Sequence, residues 1–139
     1  MGVEAVVLFD PAKAEELALR RKRGGHLLSK HRYLAAQMLA WLEGGLWLDL
    51  ARHANAMAAK LEAGLTARAV PIRFARGGNM LFADFTPAQH AKLETAGARY
   101  SLWPDAAQVT AGGPPVTARL VTSWSTAPED VDAFLSALD

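Results

Sequence analysis

Apolar residues fill positions 3–9 (VEAVVLF) almost without interruption, and Asp10-Pro11 ends the run. Continuous rather than alternating apolar character predicts a strand buried on both faces, as in a parallel sheet. Asp10 as N-cap and Pro11 at the first helical position predict a helix through about Arg23. Leu34, Met38, Trp41 and Leu42 share one side of a second helix, over about 32–43, which Gly44-Gly45 breaks. Beyond it Leu46, Leu50, Ala54, Met57, Leu61 and Leu65 recur at helical spacing and predict a longer helix over 46–65.

After Gly64 the period changes. Residues 70–74 and 80–85 read as strands around the Gly77-Gly78 turn, a hairpin pattern. Thr86-Pro87-Ala88-Gln89 is a capping box with proline at the first helical position, so a helix runs to about Ala96. Residues 99–103 form a further short strand, 104–115 a Pro/Gly-rich loop, and 119–124 (RLVTSW) the last strand. Thr126-Ala127-Pro128-Glu129 then opens a terminal helix through Leu138. The pattern over 69–139 is ββαββα-like, and the fold class is α+β, α/β overall.

The strand at 3–9 stands apart. A parallel neighbour needs a crossover of a dozen or more residues, usually one helix. Here about sixty mostly helical residues separate it from the next strand. Either it is an edge strand of the C-terminal sheet, or the polypeptide begins in the middle of a domain. The second reading divides the chain into 1–31 (remnant of a larger domain, strand plus helix), 32–68 (connecting helices) and 69–139 (small α+β domain).

The 139 residues are one domain's worth of chain, and fifteen Lys/Arg balance fourteen Asp/Glu. That balance argues against a dedicated nucleic-acid binder, which carries a basic excess over the whole domain. The absence of cysteine excludes disulfides and thiolate metal sites. No apolar run reaches the roughly 20 residues that span a bilayer, and no signal peptide is evident. A cytoplasmic protein without membrane contact is the expectation.

Charge is nevertheless concentrated locally. Arg20, Arg21, Lys22, Arg23, Lys30 and Arg32 cluster around Gly24-Gly25, just before an apolar helix. Cations held at such a joint suit an anion; their other role is to complement a helix C-terminus. His26, His31, His53 and His90 lack a HExxH or carboxylate grouping, so they read as surface histidines and no metal site is expected. Ser123 and Ser125 lack a nucleophile-elbow context, Asn79 fits a turn, and the four tryptophans fit core or interface anchoring.

Taken in order, VVLFDP, the helix with its RRK, the Gly-Gly joint, LAAQ, ARHANAMAAKLEAGL, GGNMLFADF and RLVTSWST resemble one family over essentially the whole chain. The sequence resembles the C-terminal part of the low-specificity L-threonine aldolases, in the threonine aldolase/β-eliminating lyase group of fold-type I pyridoxal-phosphate (PLP) enzymes. The resemblance implies a homo-oligomeric lyase of amino-acid metabolism. Its reaction cleaves threonine or allo-threonine to glycine and acetaldehyde, with PLP as cofactor. It implies that Arg119 binds the substrate α-carboxylate and that Lys22 and Lys30 approach the cofactor. It also places the family's Schiff-base lysine upstream of Met1. The expectation is therefore a truncated enzyme with no catalytic residue of its own and no activity alone. The competing reading is a non-enzymatic α/β interaction module that binds an anionic partner through the basic joint at 20–32. Phosphate-backbone binding of that kind weakens steeply with salt.

Overall fold

The computed structural model describes residues 2–139. The chain forms two units, Met1–Trp47 and Leu48–Asp139.

In the first unit, residues 2–9 form no helix and join no ladder. This corrects the strand expected over 3–9: Val6 and Val7 are 71% exposed and Phe9 96%. An apolar extended segment becomes a strand only when its N–H and C=O groups find a neighbouring backbone, and no described strand offers one. Asp10 caps as expected, accepting from the Ala12 N–H at 3.0 Å. A short 3₁₀ turn (Pro11–Lys13) leads into α1 (Ala14–Arg23). Gly25 takes φ +75°, and the His26 N–H reaches the Arg21 carbonyl at 3.0 Å. That bond across a left-handed glycine satisfies the orphan carbonyls of the last turn. α2 (Arg32–Leu42) ends at Gly44 and Gly45, both at positive φ, before α3 (Leu46–Ala67). None of the described residues of this unit is buried.

The second unit takes most of α3 and adds β1 (Met80–Phe85), α4 (Pro87–Thr95), β2 (Ser101–Trp103), β3 (Val116–Val121) and α5 (Pro128–Ser136). The strands form one antiparallel sheet in the order β1-β3-β2, an α+β architecture. The strand expected over 70–74 is reduced to a bridge between Ile72 and Ala83, with the Arg73 N–H on the Phe82 carbonyl at 2.8 Å. Pro71 has no N–H to donate, which limits the ladder there. The last strand begins at Val116, earlier than the expected Arg119, because Val116–Ala118 pair with Ala83–Phe85 directly after Pro114-Pro115. It stops at Val121, short of the expected Trp124, where Thr122 turns to bond Asn79 and α3.

Alternation along the strands sends Leu81, Ala83, Phe85, Ala118 and Leu120 into the core, where Leu61, Leu65, Leu93, Val131 and Leu135 of the helices cover them. Thr86 and Gln89 complete the expected capping box of α4. The terminal helix is capped one residue later than expected: the Ala127 N–H donates to Asp130 at 2.8 Å, while Thr126 accepts from Ser123 N–H.

His90 is a correction of another kind. It is 5% exposed rather than at the surface, with Nδ1 2.9 Å from the Tyr100 hydroxyl and Nε2 3.0 Å from the Val116 carbonyl. Both ring nitrogens thus have partners, which is what allows the ring to be buried. Its neighbour Tyr100 is half-buried, and burial pushes its phenol up to about 12, with the Glu94 charge adding to the shift.

Two outcomes follow from this packing. A Cβ on Gly64 would meet the Leu135 Cδ1 at 2.2 Å, so α3 and α5 touch only because that side chain is absent. Gly64→Ala should lower stability by about 1–2 kcal/mol, overpacking outweighing the ~1 kcal/mol helix-propensity gain. A urea midpoint equal to or above the parent's would refute the close contact. For Tyr100 the folded state favours the neutral phenol, since its pKa is raised above the unfolded value of about 10. Its stabilisation is complete below about pH 10 and is lost as pH rises through about 12. Tyr100→Phe should flatten the fall in stability over that window; parallel slopes for the two proteins would show that Tyr100 does not cause it.

Candidate functional site

Because the helices cover one face of the sheet, the alternate residues of each strand lie on the opposite, outer face. Arg119 of β3 is there, half-buried, in the middle of the sheet. Ladder register puts Phe82 of β1 opposite it on one side and Ser101 of β2 on the other. Arg119 Nη2 donates to the Ser101 Oγ at 3.3 Å, which ties one end of the guanidinium. Phe82 stands edge-on to Phe74 at 5.3 Å and to Trp103 at 5.4 Å, so an aromatic row runs across the same face.

The acid diagonal to Arg119 on β1 is already engaged. Asp84 accepts from the Thr117 hydroxyl and lies 3.4 Å from Arg73 Nε. Among the described residues Arg119 has no carboxylate within 4 Å, whereas Arg52, Arg68, Arg73 and Arg76 of this unit each have one. Arg99 is the other arginine of the unit without an acid; its Nη1 donates to the adjacent Ala98 carbonyl. Arg99 and Arg119 line the same cleft of about 310 Å³, where β2 parts from β3, and its apolar wall includes Leu61, Val131 and Phe134.

Lys22 and Lys30 belong to the first unit. Lys22 lies in the last turn of α1 and is exposed; Lys30 is exposed in a turn at φ +59°. Of the neighbouring cations, Arg20 and Arg23 pair with Glu16 at 2.7 and 3.4 Å, and Arg32 lies over the Tyr33 ring. His53 bonds the Thr126 carbonyl at 2.8 Å, and Ser123 and Ser125 bond each other at 3.0 Å, with no histidine partner for either serine. Among the described residues no group of three His, Cys, Asp or Glu could hold a metal ion, and no helix is long and apolar enough to cross a membrane.

Sequence reasoning singled out Arg119 but missed Ser101, Phe82 and Arg99 around it. Their signal is register, which emerges only when β1 and β2 are aligned on β3. The burial of His90 had a local signal: it precedes Leu93 by three positions on α4, on the face that meets the core.

No protein-family model matches the chain. Two low-specificity L-threonine aldolases, from a Pseudomonas species and from Pseudomonas aeruginosa, are each 33% identical to it over 125 residues, 88% of this chain. A solved threonine aldolase from Leishmania major superposes with a TM-score of 0.73 at 27% identity, over 85% of this chain and 33% of that one. Sequence and fold therefore agree.

The chain is related to the C-terminal part of the threonine aldolases.

It spans about a third of the length of the curated relatives it matches. A threonine aldolase-like fold of this extent contains the sheet that carries Arg119, with the guanidinium uncommitted to any described acid. A planar guanidinium in that state can take a carboxylate through two parallel hydrogen bonds.

Proposed function

We propose that this chain serves PLP-dependent aldol cleavage of β-hydroxy-α-amino acids, and that its part in the reaction is to hold the substrate α-carboxylate on Arg119. The observation that carries the reading is the state of Arg119: half-buried, steadied by Ser101, beside an aromatic row, and without an acid among the described residues. Relatives named threonine aldolase supply the reaction class. PLP, when bound, acts as an electron sink for the bond being broken. The chain's own contribution is orientation, since a carboxylate held through two bonds restricts how the substrate can turn relative to the cofactor.

The fit to the cofactor is partial. A Schiff-base lysine works from a desolvated site, and Lys22 and Lys30 are both exposed. Lys60 donates to Asp132 at 2.7 Å and to the Pro128 carbonyl at 3.0 Å, so it serves the α3–α5 contact. Lys13 and Lys92 are also exposed. In this reading Lys22 and Lys30 are cations for the phosphate of PLP, and no described lysine makes the covalent link.

Two experiments test these assignments. In a chimera that carries this chain in place of the matching third of the Pseudomonas enzyme, Arg119→Lys should cost about 1.5–3 kcal/mol in kcat/KM, the worth of hydrogen bonds to a charged group. Arg52→Lys, on the exposed face of α3, is the control. Equal kcat/KM in the two variants would remove Arg119 from the substrate site. For the chain alone, incubation with PLP followed by borohydride should leave no lysine labelled stoichiometrically, with no acetaldehyde released from threonine. A single full label on Lys22 or Lys30, with turnover, would show that the chain makes the covalent link itself.

A further inference from the structure

The cleft beside Arg119 contains more than one substrate carboxylate needs. Its walls bring together Arg99, Arg119 and Asp130 over an apolar floor that includes Val131 and Phe134. Arg99 and Arg119 are the two arginines of the second unit that have no carboxylate within 4 Å among the described residues. Asp130 uses Oδ2 to accept the Ala127 N–H, which leaves its other oxygen without a hydrogen bond in the described structure. The side-chain charges on the cleft are therefore two cations and one anion.

The backbone of the cleft wall is also open. Arg119 is the last β3 residue paired with β2, opposite Ser101. The Thr122 N–H turns the other way, to the Asn79 carbonyl. Alternation in an antiparallel ladder then directs the Val121 N–H and C=O toward the β2 side, where the chain at Arg99 makes no backbone bond to them. The residues that line the cleft thus supply two guanidinium groups, one carboxylate and a free backbone donor–acceptor pair. Val131 and Phe134 add apolar surface beside these groups.

We propose that this cleft binds an acidic amino acid, an aminodicarboxylate, with one carboxylate on Arg119, the second on Arg99, and the ammonium toward Asp130. The charges match group for group: two carboxylates and one ammonium against two guanidinium groups and one carboxylate. A monocarboxylic amino acid leaves Arg99 without a partner, and a dicarboxylate without an amino group leaves Asp130 facing only negative charge. The proposal deepens the reading of Arg119 as a carboxylate site and rests on it for that one contact. Arg99 and Asp130 are its own content, and they bias the site toward substrates or inhibitors that carry a second carboxylate.

The test is calorimetric titration of the full 139-residue chain with L-aspartate, succinate and glycine at low ionic strength, repeated on R99Q, R119Q and D130N. D130N keeps an oxygen for the Ala127 N–H, and circular dichroism before each titration verifies the fold. L-Aspartate should bind at least tenfold more tightly than either glycine or succinate. R99Q should erase the preference for aspartate over glycine while leaving glycine unchanged, and D130N should erase the preference over succinate. R119Q should weaken all three ligands. Aspartate binding no tighter than glycine, or an R99Q protein that keeps the full preference, overturns the proposal. Unchanged glycine binding in R119Q with an intact Arg99 effect would instead sink the assignment of Arg119, so the two failures are distinguishable.

Discussion

Burial of one face of a three-stranded sheet is the constraint from which the rest of the second unit follows. Phe85, fully buried at the end of β1, is where it is enforced. His90 of α4, Tyr100 ahead of β2 and Phe134 of α5 all approach its ring, with centroids 5.6, 6.3 and 6.2 Å away. One strand side chain thus joins two helices and the segment that leads into β2. The polar members of this knot are satisfied internally, since His90 spans Tyr100 and the Val116 carbonyl. An unpaired buried imidazole would cost more than its packing returns. With helices holding the inner face, strand geometry leaves no choice about the outer one: Phe82, Ser101, Thr117 and Arg119 must face away from the core. The position of the candidate site is a consequence of the core.

That dependence explains which parts of the molecule could be read from the chain. Helical stripes are local, and α3 forms where its spacing predicts, with Ala54, Leu61 and Leu65 buried although Leu46 at its start is 44% exposed. Caps are local too: Asp10, and Thr86 with Gln89, act where their neighbours place them. Strands depend on partners. The run VEAVVLF has strong strand character and remains unpaired, while Val116-Thr117-Ala118, hidden behind a Pro/Gly loop, becomes the centre of the sheet. The same limit applies to the site. Arg119 could be named through a family resemblance, but the serine that steadies it, and the arginine that shares its cleft, are neighbours only through register.

The two units differ in how their apolar residues are covered. In the second, a continuous cluster from Leu61 to Leu138 closes over the sheet. In the first, Val6, Val7, Phe9, Leu27, Leu28, Tyr33 and Leu39 are each more than half exposed. The basic residues at 20–32 sit among these positions, in a unit with no buried residue of its own. Their charges are therefore hydrated, which makes Lys22 and Lys30 suitable as electrostatic contacts for an anion and unsuitable as nucleophiles.

Arg119 has the opposite setting. It lies over a sheet whose far side is closed, so its backbone is fixed by ladders to β1 and β2 together. A guanidinium with a fixed base and a single light contact to Ser101 loses little freedom on taking up a carboxylate. It also surrenders no ion pair, since no carboxylate among the described residues lies within 4 Å of it, and Asp84 of β1 is held by Arg73 and Thr117. Pre-organisation of this kind lowers the cost of binding without adding contacts. Pairing of Asp84 with Arg73 and Thr117 therefore matters to the proposed site: it commits the carboxylate of β1 elsewhere and leaves Arg119 with Ser101 as its one side-chain hydrogen bond among the described residues.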